Sequence, residues 1–124
     1  MKTARRRRST AGYIYFVVGV SEFWGEPTPV CKIGASRDPH RRFKSLQGLV
    51  DFPIKLLAYV PTSGMYGNDR IILQHFKDRA IIGEFFRIEE SEIGGFVRQE
   101  FPDAVWVNYQ VDGTGLADQW WAGD

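Results

Sequence analysis

The sequence predicts an α/β domain of the α+β kind, with a small, mainly antiparallel sheet flanked by helices. Three observations carry this. Two apolar runs, Tyr13–Val20 and Val30–Ala35, are separated by turn-forming residues and read as a strand and its antiparallel return. Asp38-Pro39 is a helix start, with an N-cap acid followed by proline at the first helical position. The 124 residues are 44% hydrophobic, which suffices for one compact core and not for two large ones.

Each element follows in order. Residues 1–11 read as a basic, flexible tail. In the first strand Tyr13, Tyr15 and Val17 share one face, and Ile14, Phe16 and Val18 share the other, so both faces call for cover. Residues 21–29, with Gly25, Pro27 and Pro29, read as a long turn. Phe23 and Trp24 within it form either a satellite cluster or an exposed patch. The first helix is expected from Pro39 to Gln47, stopping at Gly48, with Phe43 and Leu46 on its buried stripe. A third strand, Ile54–Val60, follows Pro53. A loop, Pro61–Gly67, leads to a second helix from Asn68 or Asp69 to Asp78. Glu84–Ile88 reads as extended, 89–100 as a third helix weakened by Gly94-Gly95, and Ala104–Gln110 as a last strand. The domain therefore spans 12–110, with 111–124 as a C-terminal tail. His75 and Asp78, at i and i+3, read as a surface pair.

Composition narrows the function. No apolar run approaches the roughly 20 residues of a membrane helix, so a membrane partner is not expected. A single cysteine, Cys31, fits a reducing, cytoplasmic setting. The net charge of +1 hides an asymmetry. Lys2 and the Arg5–Arg8 run precede any acid, and residues 32–79 hold nine bases against four acids. Residues 84–124 hold two bases against nine acids. A polyanion would meet the first two thirds of the chain. The arginine run reads equally as a phosphate-binding arm or a solubility tail.

Five short motifs stand in sequence. They are Gly12-Tyr13-Ile14-Tyr15, Lys32-Ile33-Gly34, Ser36-Arg37-Asp38-Pro39-His40-Arg41-Arg42-Phe43, Asp69-Arg70-Ile71-Ile72-Leu73-Gln74-His75-Phe76, and Ile82-Gly83-Glu84-Phe85-Phe86. Their order and spacing resemble the GIY-YIG nuclease superfamily, in the branch common in phages whose second motif reads Lys-Ile-Gly. The resemblance covers roughly residues 12–90. It implies a metal-dependent DNA endonuclease that hydrolyses phosphodiesters with Mg²⁺ or Mn²⁺; RNA stays open as a substrate. Tyr15 then matches the first-motif tyrosine and Lys32 the second-motif residue. Arg42, ten residues after Lys32, matches the helix arginine. Asp69 falls in the metal-binding glutamate slot, as a residue one methylene shorter. Glu84 is a second, less favoured metal candidate, read first as a structural acceptor for Arg79 or Arg42.

The residue types suit the chemistry. A guanidinium fork stabilises charge developing on phosphorus, and a lysine beside a phenol favours its phenolate. Helical geometry also separates the two arginines. Arg42 flanks the stripe of Phe43 and Leu46 and can lean over the sheet, whereas Arg41 points away. His40, His75 and Cys31 lack zinc-ligand spacing. Two other readings compete. One is a nucleic-acid-binding module of the same fold without turnover. The other is a protein-interaction module acting through the acidic C-terminal third.

Overall fold

The computed structural model describes residues 12–23, 25–62 and 65–110, with the backbone alone at 23 and 65–69. The two tails and Trp24 therefore lie outside the described residues, as does the side chain of Phe23.

Among the described residues six strands form one antiparallel sheet, and three helices pack on it: an α+β architecture. The strands are β1 (Gly12–Phe23), β2 (Glu26–Ser36), β3 (Ile54–Thr62), β4 (Ala80–Ile82), β5 (Phe85–Phe86) and β6 (Val105–Gln110). Their order across the sheet is β4-β5-β2-β1-β3-β6. The helices are α1 (Pro39–Leu49), α2 (Met65–Phe76) and α3 (Glu90–Glu100), and a 3₁₀ turn at Lys77–Arg79 follows α2. No described helix is long and apolar enough to cross a membrane.

The alternation of β1 sorts the core into two halves. Ile14, Phe16 and Val18 join Cys31 and Ile33 of β2, Ile72 and Phe76 of α2, and Ile93 and Val97 of α3. On the other face Tyr15 and Val17 join Ile54, Leu56 and the α1 residues Phe43 and Leu46. One helix thus covers one face, and two cover the other.

Residues 21–29 are not the expected long turn. β1 and β2 stay paired from Tyr13↔Ser36 to Phe23↔Glu26, a hairpin closed around Gly25 at φ +81°. The prolines are tolerated for a directional reason. The Ile33 N–H points away from β1 and donates to the Glu84 carbonyl at 3.1 Å. Pro29 and Pro27 lie four and six residues earlier, so their ring nitrogens face that same outer edge. There β5 pairs only with Cys31 and Lys32, so no ladder bond is lost.

α1 begins where expected. The Asp38 carboxylate accepts from the Arg41 N–H at 3.1 Å, and the Ser36 hydroxyl accepts from the Asp38 N–H at 3.0 Å. Gly48 does not stop the helix, which runs to Leu49. The exit is set instead by Gln47, whose amide donates to the Phe52 carbonyl and accepts from the Ile54 N–H, both at 3.0 Å. α2 ends at Phe76, two residues before the expected Asp78, because the chain tightens into the 3₁₀ turn. The extended 84–88 segment is the second half of a small β4–β5 hairpin about Gly83, where φ is +55°. Gly94-Gly95 are accommodated inside α3. His75 packs against Phe96, with ring centroids 4.6 Å apart.

β3 carries a bulge. Tyr15 pairs with Tyr59 and Phe16 with Ala58, but Val17 pairs with Leu56, leaving Leu57 as the extra residue. Leu57 and Ala58 therefore both serve the two-helix core. Tyr59 and Leu56 keep the α1 face. Opposite the bulge, Asn108 of β6 takes φ 53°, a left-handed conformation that asparagine tolerates.

Candidate functional site

The cleft begins with the β1–β2 register. Tyr15 pairs with Gly34 and Val17 with Lys32, so Tyr15, Lys32 and Gly34 project from one face of adjacent strands. It is the face that α1 covers. Tyr15 is 1% exposed, its ring lying over Gly34. A Cβ at Gly34 would stand 2.5 Å from the Tyr15 Oη and 2.7 Å from Cζ, closer than atoms can pack. Only glycine leaves the hydroxyl in that position. Gly34 reads in the sequence as backbone punctuation; in the fold it is the floor of the cleft.

α1 delivers the second component. Its capped start sets Arg42 one turn in, beside the buried Phe43. The Arg42 guanidinium hydrogen-bonds the Tyr15 hydroxyl. That bond, then the charge of the phenolate form and the nearby Glu84 carboxylate, hold the guanidinium above its ordinary pKa range against the cost of desolvation. Arg42 is exposed like its neighbours Arg41 and Lys44.

The third component is Glu84, at the turn between β4 and β5. Its carbonyl holds Ile33, and its Oε1 accepts from the Lys32 Nζ at 2.8 Å. The same Oε1 lies 3.1 Å from the position of a Gly34 Cβ. Lys32 is 11% exposed along its side chain, and its ammonium also sits 5.3 Å from the Phe85 ring centre. Glu84 is therefore an acceptor for Lys32, with Arg42 nearby, and not for Arg79. Arg79 forms a two-pronged pair with Glu92 at 2.9 and 2.6 Å.

Tyr15, Lys32, Arg42 and Glu84 thus meet at one place, from β1, β2, α1 and the β4–β5 turn. Asp69 belongs to α2, and its side chain lies outside the described residues. The described core residues of that helix, Ile72 and Phe76, pack on the opposite sheet face from Tyr15. Among the described residues, no three His, Cys, Asp or Glu side chains converge as a metal-ion set. Among the described residues Glu84 is the carboxylate of this cleft, and Lys32 holds it. Mg²⁺ keeps most of its waters but needs one or two carboxylates to hold it; the one described here is paired with Lys32, so the described cleft alone does not fit resident Mg²⁺ or Mn²⁺. Its chemistry is that of two cations, a phenol and a carboxylate brought together.

A further set of side chains was not singled out in the sequence. Tyr59 lies opposite Tyr15 on β3, and Tyr13 lies two residues before it on β1. The rings of Tyr13 and Tyr59 meet edge-on at 5.0 Å, and His40 of α1 meets Tyr59 at 5.6 Å. The alternation of Tyr13 with Tyr15 was visible in sequence. The partnership with Tyr59 depends on the β3 register and was not.

A crevice of about 320 Å³, lined in part by Val20, Pro53, Lys55 and Glu90, lies at the other end of β1. Lys55 and Glu90 there form an ion pair with each other. No family model, curated protein or solved structure matches the chain.

Proposed function

We propose that the cleft binds the phosphodiester backbone of DNA and hydrolyses it, as a GIY-YIG-like endonuclease. The observation that carries this reading is the meeting of Tyr15, Lys32 and Arg42, drawn from three elements, on one sheet face. Arg42 presents a fork to the non-bridging phosphate oxygens, and Lys32 adds a second charge. As negative charge develops on phosphorus, both cations stabilise it more than they stabilise the ground state. In its phenolate form Tyr15, beside Arg42 and fixed over Gly34, takes the proton of the attacking water. The water oxygen bonds to phosphorus, the bond to the leaving oxygen breaks, and that oxygen takes up a proton from solvent. The resemblance gives Asp69 as the residue that would hold Mg²⁺ or Mn²⁺; α2 packs on the other sheet face, so the steps of the reaction run through the cleft's own residues.

A second reading, a DNA-binding module without turnover, is favoured by one observation: the cleft's carboxylate is engaged by Lys32. Nicking of supercoiled DNA with Mg²⁺ or Mn²⁺ separates the two. The endonuclease reading expects slow nicking by the wild type and none by Arg42→Ala, which also loses affinity. Where Asp69 holds the metal, as the resemblance implies, Asp69→Ala stops cleavage while binding persists or tightens; an unchanged rate removes Asp69 from the reaction. Asp69→Glu restores the reach of the longer acid and should raise the rate. Binding with no cleavage by the wild type or Asp69→Glu, on DNA or RNA with either metal, establishes the module. A protein that never retains DNA at low salt overturns both.

A further inference from the structure

The aromatic group beside the cleft has a use that the phosphate chemistry does not absorb. Resting on the reading of the cleft as a phosphodiester site, we infer that Tyr13 and Tyr59, backed by His40, form a ledge that stacks one unpaired nucleobase next to the bound phosphate. The protein therefore selects single-stranded or unpaired positions over continuous duplex.

The placement is specific. Tyr13, Tyr15 and Tyr59 project from one sheet face: Tyr13 is two residues from Tyr15 along β1, and Tyr59 is across from Tyr15 on β3. Two residues along a strand span about 6.8 Å, within reach of the base attached to a phosphate at Arg42. The rings are half-buried, unlike Tyr15, so part of their surface stays open. Tyr13 and Tyr59 stand at 76° to each other, which locks both orientations without covering either by parallel stacking. His40 meets Tyr59 at 81° from the helix side. The result is a braced aromatic corner at the edge of a cationic cleft, the pairing of features that holds single strands without reading sequence.

The preference for unpaired bases follows from access. In a continuous duplex both faces of each base are covered by its neighbours, and only an unpaired base can offer a face to an aromatic ring. Stacking on one ring is worth roughly 5- to 150-fold in affinity.

The test measures binding in EDTA, so that no cleavage intervenes, with the full chain. The probes are a fluorescein-labelled 15-nucleotide single strand and the blunt duplex of the same sequence. A second single strand carries 2-aminopurine, whose emission falls on stacking. The wild type should favour the single strand and quench 2-aminopurine. Tyr13→Ala should weaken single-strand binding by roughly 5- to 150-fold, abolish the quench and leave duplex affinity within about twofold. Tyr13→Phe keeps the ring and should behave as wild type. If Tyr13→Ala does not fold, Tyr13→Leu keeps apolar bulk without the ring and should show the same selective loss. Equal effects on both probes, or none on either, overturn the ledge while the phosphate site stands. Failure of the wild type to retain either probe removes the phosphate reading, and the ledge with it.

Discussion

Gly34→Ala tests the geometry of the cleft most directly. The added Cβ would lie 2.5 Å from the Tyr15 Oη, 2.7 Å from Cζ and 3.1 Å from the Glu84 Oε1. Ordinary carbon–oxygen contact begins near 3.4 Å, so the tip of the tyrosine must move by roughly 1 Å. It has little room, because Tyr15 packs with Val17, Phe43, Leu46 and Leu56 in the α1 half of the core. Overpacking of this size costs about 1–3 kcal/mol, a fall in melting temperature of about 4–12 °C for a domain of this size. The displaced hydroxyl also loses its alignment with Arg42, so on the proposed endonuclease reading DNA affinity and cleavage should fall beyond what the melt explains. Differential scanning fluorimetry and a binding titration read the two effects. Tyr15→Phe removes the atom at 2.5 Å, so the double variant should be more stable than the two single effects predict. A Gly34→Ala protein that melts within 1 °C of wild type and binds DNA unchanged would refute the placement of Tyr15 over Gly34.

Three further outcomes are expected. If the Arg5–Arg8 run and the 32–79 surface hold phosphates, DNA affinity should fall steeply with salt, and removing residues 1–9 should flatten the slope of log K against log salt; filter binding across a salt series checks it. The Arg79 hydrogen bond, ahead of its charge, holds the Glu92 carboxyl below its ordinary 4.5, so the pair stabilises the fold above about that pH and is lost as pH falls through the lowered value. Both partners are over two fifths exposed, which limits the pair to about 1 kcal/mol, so Glu92→Gln should melt slightly lower than wild type at pH 7 and converge with it as pH falls through the lowered value. Burial pushes the Cys31 thiol up and leaves it 0% exposed, so a thiol reagent should label it only at the rate of unfolding; rapid labelling of the native protein would contradict that.

Local chemistry made much of this protein legible from sequence. Proline after an acid at 38–39 favours a helix start through local contacts alone, and the spacing of Phe43 and Leu46 then orients Arg42 without knowledge of the sheet. Period-two alternation sorted β1 into two buried faces, because a pleat turns successive side chains to opposite sides. Other properties needed the tertiary structure, since each depends on groups far apart in the chain. Pro27 and Pro29 suggest a break until the vacant edge of β2 shows where their nitrogens point. Lys32 and Glu84 are 52 residues apart, and only the packing of the β4–β5 hairpin on β2 joins them. The β3 bulge at Leu57 decides which face Tyr59 takes, because one extra residue inverts the alternation beyond it. The need for glycine at 34 comes from the same source: it is set by the ring of Tyr15 lying across the strand from it.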